Sequence, residues 1–69
     1  MLGKVAWYSE QKRYGFINAE PTNQDQQEKD FFFHQTDLID VPSVREGDRV
    51  EFELIERLGR IKATRVVVR

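Results

Sequence analysis

Between Arg49 and Glu56 the chain alternates: Val50, Phe52 and Leu54 fall on one parity, Arg49, Glu51 and Glu53 on the other. Successive side chains of an extended strand point to opposite faces, so this is a strand with one dry and one wet side, the pattern of an antiparallel sheet. Such a strand needs a second apolar layer, and 69 residues must supply it. There is no cysteine, which removes disulfides, thiolate metal sites and cysteine nucleophiles together.

The remaining apolar runs are short and equally strand-like. Gly3 to Tyr8 reads as the first strand, Ser9-Glu10-Gln11-Lys12 as a polar turn and Arg13 to Asn18 as the returning strand of a hairpin. Ala19 to Lys29 is polar throughout after Ala19, a long solvated loop. Phe31 to His34 is the third strand. Gln35 to Arg45 is irregular, with one short helical turn at Thr36-Asp37-Leu38-Ile39 and Val41-Pro42-Ser43 preventing anything longer. Glu46-Gly47-Asp48 and Arg57-Leu58-Gly59-Arg60 are turns, and Ile61 to Val68 is the last strand. Its phase slips, with Ile61 and Ala63 on one face and Val66 and Val68 in the other register, so a bulge near Thr64-Arg65 is predicted.

Five short antiparallel strands cannot form a two-layer sandwich with enough core, and an open sheet leaves bare edges. Closure solves both problems. The expected fold is therefore all-β, a five-stranded antiparallel oligonucleotide-binding barrel made by a single domain over residues 1–69. Its filling is expected to be Val5, Ile17, Phe31, Phe33, Val50, Phe52, Leu54, Ile61, Ala63 and Val66.

The same parity rule leaves rings over. In Lys12-Arg13-Tyr14-Gly15-Phe16-Ile17, Tyr14 and Phe16 share a face; in Asp30-Phe31-Phe32-Phe33-His34, so do Phe32 and His34. Not all of these aromatics fit on the buried side. Exposed aromatic area is uncommon unless something binds there. Strict alternation places Val5 and Trp7 on one face and Lys4, Ala6 and Tyr8 on the other, whereas a strongly bent first strand brings both Trp7 and Tyr8 to the rim of the patch. Flat rings edged by Lys12 and Arg13 suit unpaired bases on a phosphate backbone. Gly15 lets a backbone or ring approach closely.

Charge narrows the reading. Eleven Lys+Arg against 12 Asp+Glu give a net charge of -1, which counts against salt-driven duplex binding but much less against stacking. Glu46, Asp48, Glu51, Glu53 and Glu56 form a solvated acidic face that turns phosphate toward the other side. His34 is the only histidine, with no second His or Cys to complete a metal site and no carboxylate placed beside it by spacing. Ser9, Ser43, Thr22, Thr36 and Thr64 form no nucleophile motif, and Gly3 and Gly15 make no phosphate loop. The chain is expected to be no enzyme and to need no metal or cofactor. Met1-Leu2-Gly3-Lys4 runs straight into a strand and no apolar stretch nears membrane-spanning length, so the cytoplasm is the expected location, with no membrane partner. A second reading is an interaction module in which the same patch docks a protein or another copy. A monomer is expected, with a strand-swapped dimer as the alternative.

With these residues in place, the sequence resembles the cold-shock domain family. Members open with Gly-x-Val-Lys-Trp-Phe-Asn and carry Lys-Gly-Phe-Gly-Phe-Ile and Val-Phe-Val-His-Phe ribonucleoprotein motifs. Here they stand as Gly3-Lys4-Val5-Ala6-Trp7-Tyr8-Ser9, Lys12-Arg13-Tyr14-Gly15-Phe16-Ile17 and Phe31-Phe32-Phe33-His34-Gln35. The Glu46-Gly47 turn and the Ala63-x-x-Val66 ending are similar too. The resemblance implies a barrel that binds single-stranded RNA or DNA with little sequence preference. It gives Trp7, Tyr14, Phe16, Phe32 and His34 as stacking platforms, Lys12 as a phosphate contact, and an RNA-chaperone or antitermination role. The full candidate set is Lys4, Trp7, Tyr8, Lys12, Arg13, Tyr14, Phe16, Phe32, His34 and Gln35. Departures accompany it: Ala6 replaces the usual phosphate-contacting lysine, Gln35 the usual stacking phenylalanine and Arg13 a glycine. Ile39 to Ser43 lacks the aromatic often found after the third strand, and the 19–29 loop is longer than usual. These departures imply weaker binding over a shorter footprint.

Overall fold

A computed structural model describes residues 1–22 and 29–69, and most of the polar loop expected at Ala19 to Lys29 lies outside the described residues. The strands are β1 (Leu2–Ser9), β2 (Tyr14–Ala19), β3 (Lys29–His34), β4 (Arg49–Arg57) and β5 (Arg60–Val68). They form one sheet in the order β3-β2-β1-β4-β5, and neighbouring strands within it are antiparallel.

The apolar parities converge on one core. Val5, Ile17, Phe33, Val50, Phe52, Ala63 and Val66 are buried, joined by Ala19 and by Val44 from the irregular segment. Burying each large side chain contributes roughly 1.5–3 kcal/mol. Position 15 requires glycine, because a Cβ there would lie 2.2 Å from the Trp7 carbonyl oxygen and 3.1 Å from the Phe33 ring.

The closed barrel is not what forms. Among the described residues no hydrogen-bonded ladder joins β3 to β5, although the two strands approach one another across the curled sheet. The segment after β3 occupies the seam. A 3-10 turn, Gln35–Asp37, begins one residue earlier than expected. Leu38 then bridges Val66, and the Ile39 amide donates to the Val66 carbonyl at 2.9 Å. Those bonds satisfy backbone that β3 would otherwise take, which is why closure is made by side chains and a single bridge.

Two expected filling residues, Leu54 and Ile61, are exposed, and a third, Phe31, is half-buried against the core. β1 pairs with β4 only from Leu2 to Lys4, and Met1, just before it, exchanges bonds with Phe52. The outer half of the β4–β5 hairpin therefore projects beyond the sheet that would have covered Leu54 and Ile61. The phase slip in β5 is as predicted. The register shifts between Glu51 and Glu53, opposite Arg65 at φ 51°, and the bulge brings Ala63 and Val66 to the same core.

A second irregularity lies in β1, between Val5 and Trp7. It places Val5 opposite Ile17, facing the core, and Trp7 opposite Phe16, facing outward. Strict alternation, with Val5 and Trp7 together, therefore fails at Ala6. No described helix is long and apolar enough to cross a membrane.

Candidate nucleic-acid interface

Outward parity across β1, β2 and β3 produces three adjacent rungs: Ser9, Tyr14 and His34; Trp7, Phe16 and Phe32; and Lys4, Asn18 and Asp30. The middle rung is all aromatic. Its rings are 41 % exposed at Trp7 and 37 % at both Phe16 and Phe32, with Tyr14 half-buried between them. Ring centroids lie 5.3 Å apart for Trp7 and Tyr14, 5.5 Å for Tyr14 and Phe32, 6.0 Å for Phe16 and Phe32, and 6.2 Å for Trp7 and Phe16. The contacts run from tilted to edge-on, so the rings support one another while leaving faces available to a flat ligand.

His34 stands at the end of this surface. Its Nδ1 accepts from the Thr36 amide at 3.2 Å, capping the 3-10 turn, so the neutral ring carries its hydrogen on Nε2. Gln35 is engaged by the irregular segment beyond the turn, its side-chain amide donating to the Pro42 carbonyl at 3.0 Å. Lys12 and Arg13 lie exposed in the β1–β2 turn. Arg13 adopts φ 63°, a left-handed conformation that favours glycine, so its cation sits there at a conformational cost of roughly 1–2 kcal/mol. At the opposite end, Asn18 donates to Asp30 at 2.9 Å, and exposed Lys4 completes that rung on the other side of Asn18.

Tyr8 does not join the surface. The bulge that turns Trp7 outward turns Tyr8 inward, where its ring stacks on Phe33 at 5.7 Å and 10°. Among the described residues its buried hydroxyl has no hydrogen-bond partner. Burial raises its pKa, with the Glu10 charge adding to the effect and Arg13 opposing it. The irregularity expected in β1 exists, but it brings only Trp7 to the surface and leaves Tyr8 on the opposite face.

Lys62 on β5 is a residue the sequence reading missed. Its Nζ lies 5.8 Å from the Phe32 ring centroid and 2.7 Å from the Asp37 carboxylate. Asp37 also accepts from the His34 amide at 2.8 Å and from Thr64 Oγ1 at 2.9 Å. Burial alone would raise the Asp37 pKa, but these hydrogen bonds and the Lys62 charge outweigh it and hold the carboxyl below its ordinary value. No spacing rule links Lys62 to Phe32, because the approach of β5 to β3 has no ladder. Asn18 and Asp30, in contrast, follow from parity. Among the described residues no group of three or more His, Cys, Asp or Glu gathers as a metal site.

The sequence model of the "Cold-shock" DNA-binding domain family matches residues 1–69. A cold shock-like protein of Aquifex aeolicus is 39 % identical over 56 residues, covering 78 % of this chain and 73 % of the relative. Cold shock-like protein CspA of Rickettsia bellii is 31 % identical over 71 positions, covering 100 % and 94 %. Y-box-binding protein 3 of Homo sapiens is 36 % identical over 62 residues, which is 81 % of this chain but 15 % of that larger protein.

Proposed function

The chain belongs to the cold-shock domain family, and from that premise we propose that it binds single-stranded RNA or DNA by stacking unpaired bases on Trp7, Tyr14, Phe16 and Phe32. The observation that carries this reading is the aromatic middle rung, whose three large apolar rings remain partly exposed side by side on one sheet face. Every base has a π-face, so such a surface is tolerant of sequence. Lys12 and Arg13 take phosphates at one end, and the His34 Nε2–H is a donor to a base edge. Trapping bases in the unpaired state opens weak secondary structure without a catalyst or ATP. That is the action of an RNA chaperone or antiterminator working in the cytoplasm.

Trp7 is the only tryptophan and lies within the surface, so its fluorescence reports directly on occupancy. Titration with a short oligothymidine at two salt concentrations is expected to quench it, with affinity falling as salt rises. Absence of quenching at low salt overturns the proposal. Self-association or protein docking through the same rings would instead be indifferent to salt or strengthened by it.

A further inference from the structure

The β4–β5 hairpin ends in a residue that violates two preferences. Leu58 is 101 % exposed and sits at φ 52°, followed by Gly59 at φ 77°. With Arg57 paired to Arg60, this is a two-residue turn with both central φ values positive, the geometry in which Asn-Gly is favoured. A leucine there bears left-handed strain and leaves its whole side chain in water. Neither folding nor solubility gains from it.

The flanking residues point to a ligand. Arg57 and Arg60 face each other across the strand pair, an unfavourable like-charge arrangement, and neither has a carboxylate partner among the described residues. Both line a depression of about 390 Å³ together with Ile61, Lys62 and Phe32, the last being the edge of the stacking face. The paired cations and the edge of the stacking face thus line one depression, and the apolar tip stands at its end in the turn between the two arginines.

We propose that the β4–β5 hairpin is a strand-separating wedge: Leu58 inserts against the terminal base pair of a nucleic-acid stem, Arg57 and Arg60 hold the phosphates of its two strands, and the released strand passes over Lys62 and Phe32 onto the ring surface. Apolar side chains placed between base steps unstack them, and guanidinium groups hold phosphates in place. The proposal rests on the single-strand-binding reading and adds to it the step that delivers the strand.

The test uses a stem-loop oligonucleotide with a single-stranded tail, labelled with a fluorophore and a quencher across the stem, and the full chain with Leu58 or Leu58→Asn. Asn-Gly suits this turn, so Leu58→Asn is expected to melt no lower than the parent and folding failure does not confuse the result. The variant is expected to open the stem more slowly at saturating protein by about tenfold, the factor equivalent to one average base-pair stacking step. Its affinity for unstructured oligothymidine should be unchanged. Equal opening by both proteins, or no opening by the parent, overturns the wedge while leaving oligothymidine binding intact. Failure of the parent to bind oligothymidine removes the single-strand reading, and the wedge with it.

Discussion

The Asp37 carboxylate lies 2.7 Å from the Lys62 ammonium and joins the turn after β3 to β5 at the seam where the sheet has no ladder. Thr64 and the His34 amide complete its hydrogen bonding. Asp37→Ala leaves three donors without their acceptor and is expected to lower stability by about 2 kcal/mol in denaturant unfolding. The pH dependence has a definite sign. Because the folded pKa is lowered, the charged carboxylate stabilises the fold fully above the ordinary carboxylate value and loses that contribution as pH falls through the folded value. Asp37→Asn should therefore flatten the acid limb of the stability profile. A limb identical to the parent's would mean that the carboxylate is not linked to folding.

Phe16 and Phe33 are in neighbouring strands but on opposite faces, the first exposed and the second fully buried. Phe16→Ala or Phe32→Ala should weaken oligothymidine binding by about 1–3 kcal/mol each while moving the unfolding midpoint little. Phe33→Ala should cost about 3–5 kcal/mol of stability. Affinity from titration and stability from unfolding separate the two classes, and a large stability loss at Phe16 would place that ring in the core.

Parity was legible wherever a strand stayed regular. Val50 and Phe52 inward, Tyr14 and Phe16 outward, and the slip in β5 all follow from a period of two. What was not legible depends on one extra residue or on contacts without a ladder. The bulge at Ala6 reverses every later side chain of β1, and so took Trp7 off the face of Val5 and turned Tyr8 inward. The limited length of the β1–β4 pairing exposed Leu54 and Ile61. The seam around Leu38, Asp37 and Lys62 is made from an irregular segment with no periodicity to read.

Tyr8 gives a direct check on the bulge. Its hydroxyl is buried without a partner while its ring stacks on Phe33. Removing an unsatisfied buried polar group while keeping the ring is neutral or favourable, so Tyr8→Phe is expected to retain or gain about 1 kcal/mol of stability. Oligothymidine affinity should not change. Weaker binding by Tyr8→Phe would return this residue to the ligand surface and contradict the orientation given by its stacking on Phe33.

Ala6 occupies the bulge itself, exposed and immediately before Trp7, where the cold-shock resemblance places a phosphate-contacting lysine. Its small side chain puts no cation at that position, while Lys4 stands one rung away opposite Asn18. Ala6→Lys adds a charge to the rim without entering the core, so unfolding should move by no more than about 0.5 kcal/mol. Each phosphate neutralised on a single strand steepens the slope of log affinity against log salt by about 0.7. The variant is therefore expected to bind oligothymidine more tightly at low salt, to lose that gain as salt rises, and to show a slope steeper by about that one increment. An unchanged slope would mean that the strand does not pass this edge of β1, and that its phosphates follow the Lys12 and Arg13 side alone.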